Sequence, residues 1–321
     1  MEHDPKMFDF VGKKNWFMLA SAVIILAGII SMAVPGGLKT GIEFQSGISI
    51  TLKTDLTMDD LKAELAKIGH GGAVVQSFGE GEYFIRTRDA SPAEQQDLKR
   101  ELGEIGTIEE FDAVSPMIAS ETVRNAAIAV VVAAIAILLY ITWAFRKMPN
   151  PFRYGVCAIV ALMHDVLIVL AVFSFLGRIS GWEIDPMFIT AVLAVIGYSV
   201  NDTIVVFDRV RETLPKGMSS DFASVVNASL TGTLGRSLNT SVTTLLAVLA
   251  VYLFVGGTIK TFVMALFIGV ITGTYSSIFI AAQLLVIWER GEWGGKLGRV
   301  PVVGPAIARI PLLRRLSVQR A

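Results

Sequence analysis

The chain has 321 residues, 53% of them hydrophobic, and a mean hydropathy of +0.60. This composition excludes an ordinary soluble core and points to a polytopic membrane protein. The 28 Lys and Arg offset 28 Asp and Glu, so no basic excess suggests nucleic acid as a partner. The single cysteine, Cys157, lies inside an apolar run, which excludes an internal disulfide and a cysteine-based metal cluster.

Residues 1–15 carry Lys6, Lys13 and Lys14 around Phe8 and Phe10 and are expected to form a cytoplasmic arm. The run from Trp16 to Val34 is long enough to span a bilayer, and no small-residue cleavage pattern follows it, so residues 16–35 are expected to be a retained first helix. Residues 36–120 then form a small external domain with charged residues throughout and no spanning run. Ile48-Ser49-Ile50-Thr51-Leu52 alternates as a strand does. Thr57 to Ile68 has helical spacing, with Leu61, Leu65 and Ile68 on one face and Thr57 or Asp59 available as the N-cap. Ala73–Phe78 and Tyr83–Arg88 read as a hairpin across Gly79-Glu80-Gly81-Glu82. Ser91-Pro92-Ala93-Glu94 opens a helix ending near Gly103, because it offers a capping serine, a first-turn proline and a glutamate three residues after the cap. Thr107–Val114 is a last strand. The order βαββαβ predicts a ferredoxin-like α+β domain. His70 reads as a loop residue rather than a metal ligand, since no second His or Cys lies near it.

Residues 121–289 read as a bundle of five membrane helices, at about 125–145, 154–176, 187–207, 234–255 and 262–288. Residues 209–230 form an amphipathic connection, Gly256-Gly257-Thr258-Ile259-Lys260 a turn, and residues 290–321 a basic tail. The fold class is therefore a mainly α membrane protein of six helices, with the α+β domain between helices one and two. The arm, the Arg146-Lys147 loop, the loop at Arg209 and Arg211, and the tail all fall on one side. By the positive-inside rule that side is cytoplasmic. Both termini are then cytoplasmic and residues 36–120 periplasmic, as in a bacterial inner membrane.

Four ionisable groups interrupt the apolar runs: His164 and Asp165 in helix three, Asp202 in helix four and Arg236 near the start of helix five. A charge at membrane depth costs about 2.5–3.5 kcal/mol on insertion scales and persists where it is paired, solvated or used. Asp202 lies roughly 22 Å along its helix, inside a hydrocarbon core about 30 Å thick. Opposite charges allow Asp202 to pair with Arg236, either as a static lock between helices or as a site where the carboxylate alternates between charged and neutral. His164 and Asp165, and the polar groups Asn201, Asn239, Thr240 and Ser241, are candidate supporting groups.

These segments resemble the SecF family. Gly197-Tyr198-Ser199-Val200-Asn201-Asp202-Thr203-Ile204-Val205-Val206-Phe207-Asp208-Arg209 is similar to its fourth-helix signature, and Arg236-Ser237-Leu238-Asn239-Thr240-Ser241 with Thr243-Thr244 to its fifth. Gly273-Thr274-Tyr275-Ser276-Ser277-Ile278-Phe279 resembles the sixth-helix motif, and His164-Asp165-Val166 the third. After helix one the family has Gly-x-Asp-Phe-x-Gly-Gly, where this chain has Gly41-Ile42-Glu43-Phe44-Gln45-Ser46-Gly47.

The resemblance implies a resistance-nodulation-division membrane fold, a SecD partner, and work beside the SecYEG channel, with YajC as a further companion and preproteins as cargo. It implies proton-motive force as the energy source, with Asp202 the proton-sensitive carboxylate and Arg236 its switching partner. It implies no cofactor, no metal and no enzymatic reaction. The rival readings are a small-solute exporter of the same fold, which would carry two repeats and larger external domains, and a passive scaffold of the channel.

Overall fold

The computed structural model describes residues 8–79, 81–216, 221–254 and 259–291. Residues 256–258 of the turn expected over 256–260, most of the basic tail and the start of the arm lie outside the described residues, and Lys260 already opens a helix. Among the described residues six helices are long and apolar enough to cross a membrane: α1 (Lys14–Ala33), α5 (Pro116–Ala144), α6 (Pro151–Ser180), α7 (Pro186–Thr213), α8 (Phe222–Phe254) and the pair α9 (Lys260–Ser276) and α10 (Ala282–Glu289), which a π-helical turn at Ser277–Ala281 joins. Between α1 and α5 in sequence come α2 (Ile42–Gln45), β1 (Gly47–Lys53), α3 (Met58–Lys67), β2 (Val74–Gly79), β3 (Glu82–Thr87), α4 (Pro92–Ile105) and β4 (Thr107–Val114).

The chain divides into two compact units. One comprises residues 34–132 with 173–190, the other the remaining described residues. In the first, the sheet order is β2-β3-β1-β4 with every neighbouring pair antiparallel, the split βαβ arrangement. Alternate β1 residues Ile48, Ile50 and Leu52 are fully buried, packed with Leu61 and Leu65 of α3, Leu98 and Leu102 of α4, and Ile85 of β3. Thr57 caps α3 by accepting from the Asp60 amide, and Ser91 with Glu94 closes a capping box on α4. That helix runs through Gly103 and stops at Gly106. A mid-helix glycine costs about 1 kcal/mol, which the burial of Leu102 offsets.

Three membrane helices start earlier than hydropathy alone indicates. Each opens on a proline, Pro116, Pro151 or Pro186, preceded by Ser115, Asn150 or Asp185. Proline is favoured at the first helical position, and a short polar residue before it can cap the free amides. Asp185 does so, accepting from the Phe188 amide at 2.7 Å. At its other end α7 continues through Asp208, Arg209 and Arg211 to Thr213, and α8 begins at Phe222. The connection expected over 209–230 is therefore mostly helix. Its charges pair one turn apart, as in Arg209 with Glu212, and so support the helix instead of ending it.

In the second unit the arm is pinned to α8. The Asn227 side chain accepts from the Phe10 and Val11 amides at 2.9 and 3.3 Å and donates to the Phe8 carbonyl. Phe10 and Phe17 both pack on Phe279, which also meets Tyr275.

Candidate functional site

Asp165 sits midway along α6 and is fully buried. Its Oδ2 accepts from Ser199 Oγ of α7 at 2.6 Å and from Ser276 Oγ of α9 at 2.8 Å. Its Oδ1 lies 3.0 Å from His164 Nδ1. One carboxyl group thus ties three helices together. Two adjacent residues on a helix normally diverge by about 100°. Here the imidazole turns back on its neighbour, leaving its Nε2 buried without a partner. The ring faces Tyr275, whose hydroxyl donates to the Phe17 carbonyl of α1 at 2.8 Å.

The approach of α9 to α7 depends on two glycines. A Cβ at Gly269 would lie 2.0 Å from Val195 Cγ2, and one at Gly273 would lie 2.9 Å from Ser199 Cβ. The small-xxx-small spacing brings the backbones close enough for hydroxyls to cross. At Ser277 the helix widens into the π turn, a feature that recurs at functional sites. Ser276 serves Asp165, while Ser277 bonds the Gly273 carbonyl at 2.8 Å and meets Thr203 Oγ1 of α7 at 3.0 Å.

Asp202, 8% exposed, is the second buried carboxyl. Ser237 of α8 donates to its Oδ1 at 2.6 Å, and its Oδ2 is buried without a partner. A stripe of small polar residues, Ser229, Thr233, Ser237 and Ser241, forms the buried face of α8. Ser229, Thr233 and Ser241 turn their hydroxyls back to the carbonyl four residues earlier, the usual satisfaction of such groups inside a helix. Ser237 departs from this pattern and gives its proton to Asp202. Ser241 also meets Thr274 of α9 and accepts from Tyr198 of α7 at 3.0 Å. Four helices therefore share a buried layer of hydroxyls around two carboxyl groups.

The ion pair between Asp202 and Arg236 is absent among the described residues. Arg236 is exposed, and the inward position belongs to Ser237, one residue and about 100° further round α8. Asn239 and Thr240 of α8 and Asn201 of α7 are exposed as well. Of the other residues singled out in the sequence, His164, Asp165 and Ser241 join the buried layer. Ser199, Ser237 and Ser276 were not singled out, although each stands inside one of the quoted motifs. Their signal was a hydroxyl on the helical face opposite an ionisable residue, which requires knowing which helices adjoin. Among the described residues no group of three or more His, Cys, Asp or Glu is placed to hold a metal ion.

Residues 94–291 match the family described as "Protein export membrane protein SecD/SecF, C-terminal". The protein translocase subunit SecF of Thermobaculum terrenum is 43% identical over 304 residues, covering 89% of this chain and 96% of that one. The protein translocase subunit SecDF of Bacillus subtilis is 34% identical over 300 residues, covering 90% of this chain and 39% of that one. The crystal structure of SecDF, a translocon-associated membrane protein from Thermus thermophilus, is similar with a TM-score of 0.78 at 33% identity. The match covers 90% of this chain and 40% of that chain. With six apolar helices, a small sheet and a match to SecF proteins over most of its length, the chain is a multi-pass membrane protein and belongs to the SecF family of protein translocase subunits.

Proposed function

We propose that this chain uses the proton-motive force to assist preprotein export through the SecYEG channel, as one half of a SecD–SecF assembly in the bacterial inner membrane. The observation that carries the reading is Asp202: a carboxyl group inside an apolar helix, with one oxygen held by Ser237, the other buried and unpartnered, and no ion pair among the described residues. Such a group is kept at membrane depth for use. The free oxygen is where a proton can be held, and the hydroxyl layer around it changes partners when the proton arrives. One charge crossing 100 mV releases about 2.3 kcal/mol. That energy shifts a two-state equilibrium roughly fiftyfold.

SecD supplies what this chain lacks. Arg236, Asn239, Thr240 and Asn201 point away from the chain's own bundle, and polar groups at membrane depth need protein or water against them. Helices of SecD would cover this face and bring Arg236 within reach of a carboxyl group that responds to protons. The Bacillus subtilis relative, named SecDF and more than twice the length of the matched region, supports the pairing. The sheet domain would face the periplasm, where the preprotein emerges, and both termini the cytoplasm. YajC would be a further companion of the same assembly.

The test is proton flux into proteoliposomes. The chain with SecD is expected to conduct protons, and the chain alone is not. Asp202→Asn in the joint assembly is expected to abolish the flux. Flux through the lone chain would contradict the shared pathway, and undiminished flux in the variant would remove Asp202 from it.

A further inference from the structure

The connection between α6 and α7 is only five residues long, 181–185, and it is bound to the sheet domain. Ile184 is buried, and its backbone pairs with the segment before α2 in a short parallel bridge to Thr40. The Gly41 amide donates to the Ile184 carbonyl and the Ile184 amide to the Lys39 carbonyl, each at 2.8 Å. Next to it, Arg86 of β3 donates through one nitrogen to Glu183 Oε2 at 2.6 Å and to the Thr40 carbonyl at 3.1 Å. The two side chains of this ion pair are 22% and 17% exposed. Burial pushes the Glu183 carboxyl up from the ordinary glutamate range, Arg86 and Lys39 draw it back, and Glu43 and Asp185 oppose them.

Arg86 lies on an inner strand, with Ser49 of β1 and Val74 of β2 as its ladder partners. A force on its side chain is thus delivered to the sheet and not to a loose loop. On the other side, Phe173 of α6 packs on Phe188 of α7 at 4.6 Å and on Trp182, which stiffens the helix ends that the connection joins. The same two helices carry Asp165 and Asp202. Five residues closed at both ends cannot absorb a shift of α6 against α7, so such a shift reaches Glu183 and Ile184.

We propose that Arg86 and Glu183 are positioning residues of the export cycle: with the Ile184 bridge they form the latch through which α6 and α7 set the orientation of the sheet domain. The latch rests on the reading of Asp202 given above as far as its use in export is concerned, but its existence can be tested separately.

The experiment uses the full chain assembled with SecD in nanodiscs and in inverted vesicles. Spin labels at Lys62→Cys, exposed on α3, and Ile179→Cys, 82% exposed on α6, report the distance between domain and helix end by pulsed electron resonance. Arg86→Glu and Glu183→Arg, each alone, are expected to broaden the distance distribution. They are also expected to lower gradient-driven preprotein export by about threefold, the scale of one partly screened ion pair, with export in the absence of a gradient unchanged. The double reversal is expected to restore the distribution and the export. Glu183→Gln, nearly isosteric, is expected to act in the same direction as the single reversals and guards against a misfolded charge variant. An unchanged distribution in the single variants, or loss without recovery in the double reversal, would overturn the latch. If Asp202→Asn keeps its response to the gradient while the distance results hold, the coupling reading fails and the latch stands.

Discussion

Ser237 donates to Asp202 at 2.6 Å from the helix position immediately after Arg236. The group that satisfies the carboxyl within this chain and the cation that faces out of it are therefore neighbours in sequence. Ser237→Ala leaves a buried oxygen without a donor, a cost of about 1–3 kcal/mol. A lower melting temperature of the solubilised chain is expected, with Ser237→Thr close to wild type. Among the described residues the Arg236 side chain makes no hydrogen bond or ion pair, so the melting temperature of Arg236→Ala is expected to be unchanged while gradient-driven export by the assembly with SecD falls. Equal thermal losses for the two alanine variants would contradict this division.

The contact of Gly269 with Val195 permits a compensation test. Gly269→Ala places a methyl group 2.0 Å from Val195 Cγ2. Overpacking of this kind costs about 1–3 kcal/mol. Val195→Ala opens the space again. The double variant is expected to be more stable than Gly269→Ala alone, a coupling that a double-mutant cycle of melting temperatures measures directly. Strict additivity would mean that α7 and α9 do not pack against each other through this pair.

Ser46 has φ 66° and ψ 162°, a region that favours glycine. It stands at the position where the family pattern after the first helix has the first glycine of a pair. Gly47, at φ 136°, abuts the Thr87 carbonyl and admits no side chain. Ser46→Gly is therefore expected to stabilise the sheet domain by about 1 kcal/mol, read as slower amide exchange along β1. Faster exchange would show that the serine hydroxyl is worth more than the strain it brings.

His70 is buried and bonds Thr87 Oγ1 through Nδ1 at 2.8 Å. Burial holds its pKa below 6.5, with Arg88 adding repulsion and Glu94 and Glu101 opposing it. The unfolded chain takes up a proton near 6.5 and the native domain only at lower pH. The stabilisation is present above pH 6.5 and is lost as pH falls through the native pKa. Amide exchange in β1 and β3, corrected for intrinsic rates, is expected to accelerate below pH 6.5, and His70→Gln to flatten that dependence. The same acid response in the variant would assign it to other groups.

Much of the fold was legible because its signals are local. Apolar runs marked the six spans, Thr57 and Ser91 marked the starts of α3 and α4, and Ile48–Leu52 was readable as a strand from alternation alone. The start of α5 at Pro116 was not read from hydropathy because its first turns are polar, and α7 extends through charges that pair along its own surface. At the site, Asp202 and Asp165 stood out because a carboxyl group in an apolar run is rare. Their partners did not stand out. Counting charges suggests Arg236, whereas helical rotation selects Ser237. The meeting of Ser199 and Ser276 on one oxygen follows from two glycines and a π turn, and a π turn leaves no periodic trace in the sequence.

The most direct test of the central claim is preprotein movement into inverted membrane vesicles carrying this chain with SecD, with the proton gradient imposed or collapsed, comparing wild type with Asp202→Asn. Asp202 as the coupling group predicts that the benefit of the gradient disappears in the variant while the assembly still forms. A variant that keeps the full benefit would contradict the account, leaving the chain a scaffold and the proton site elsewhere.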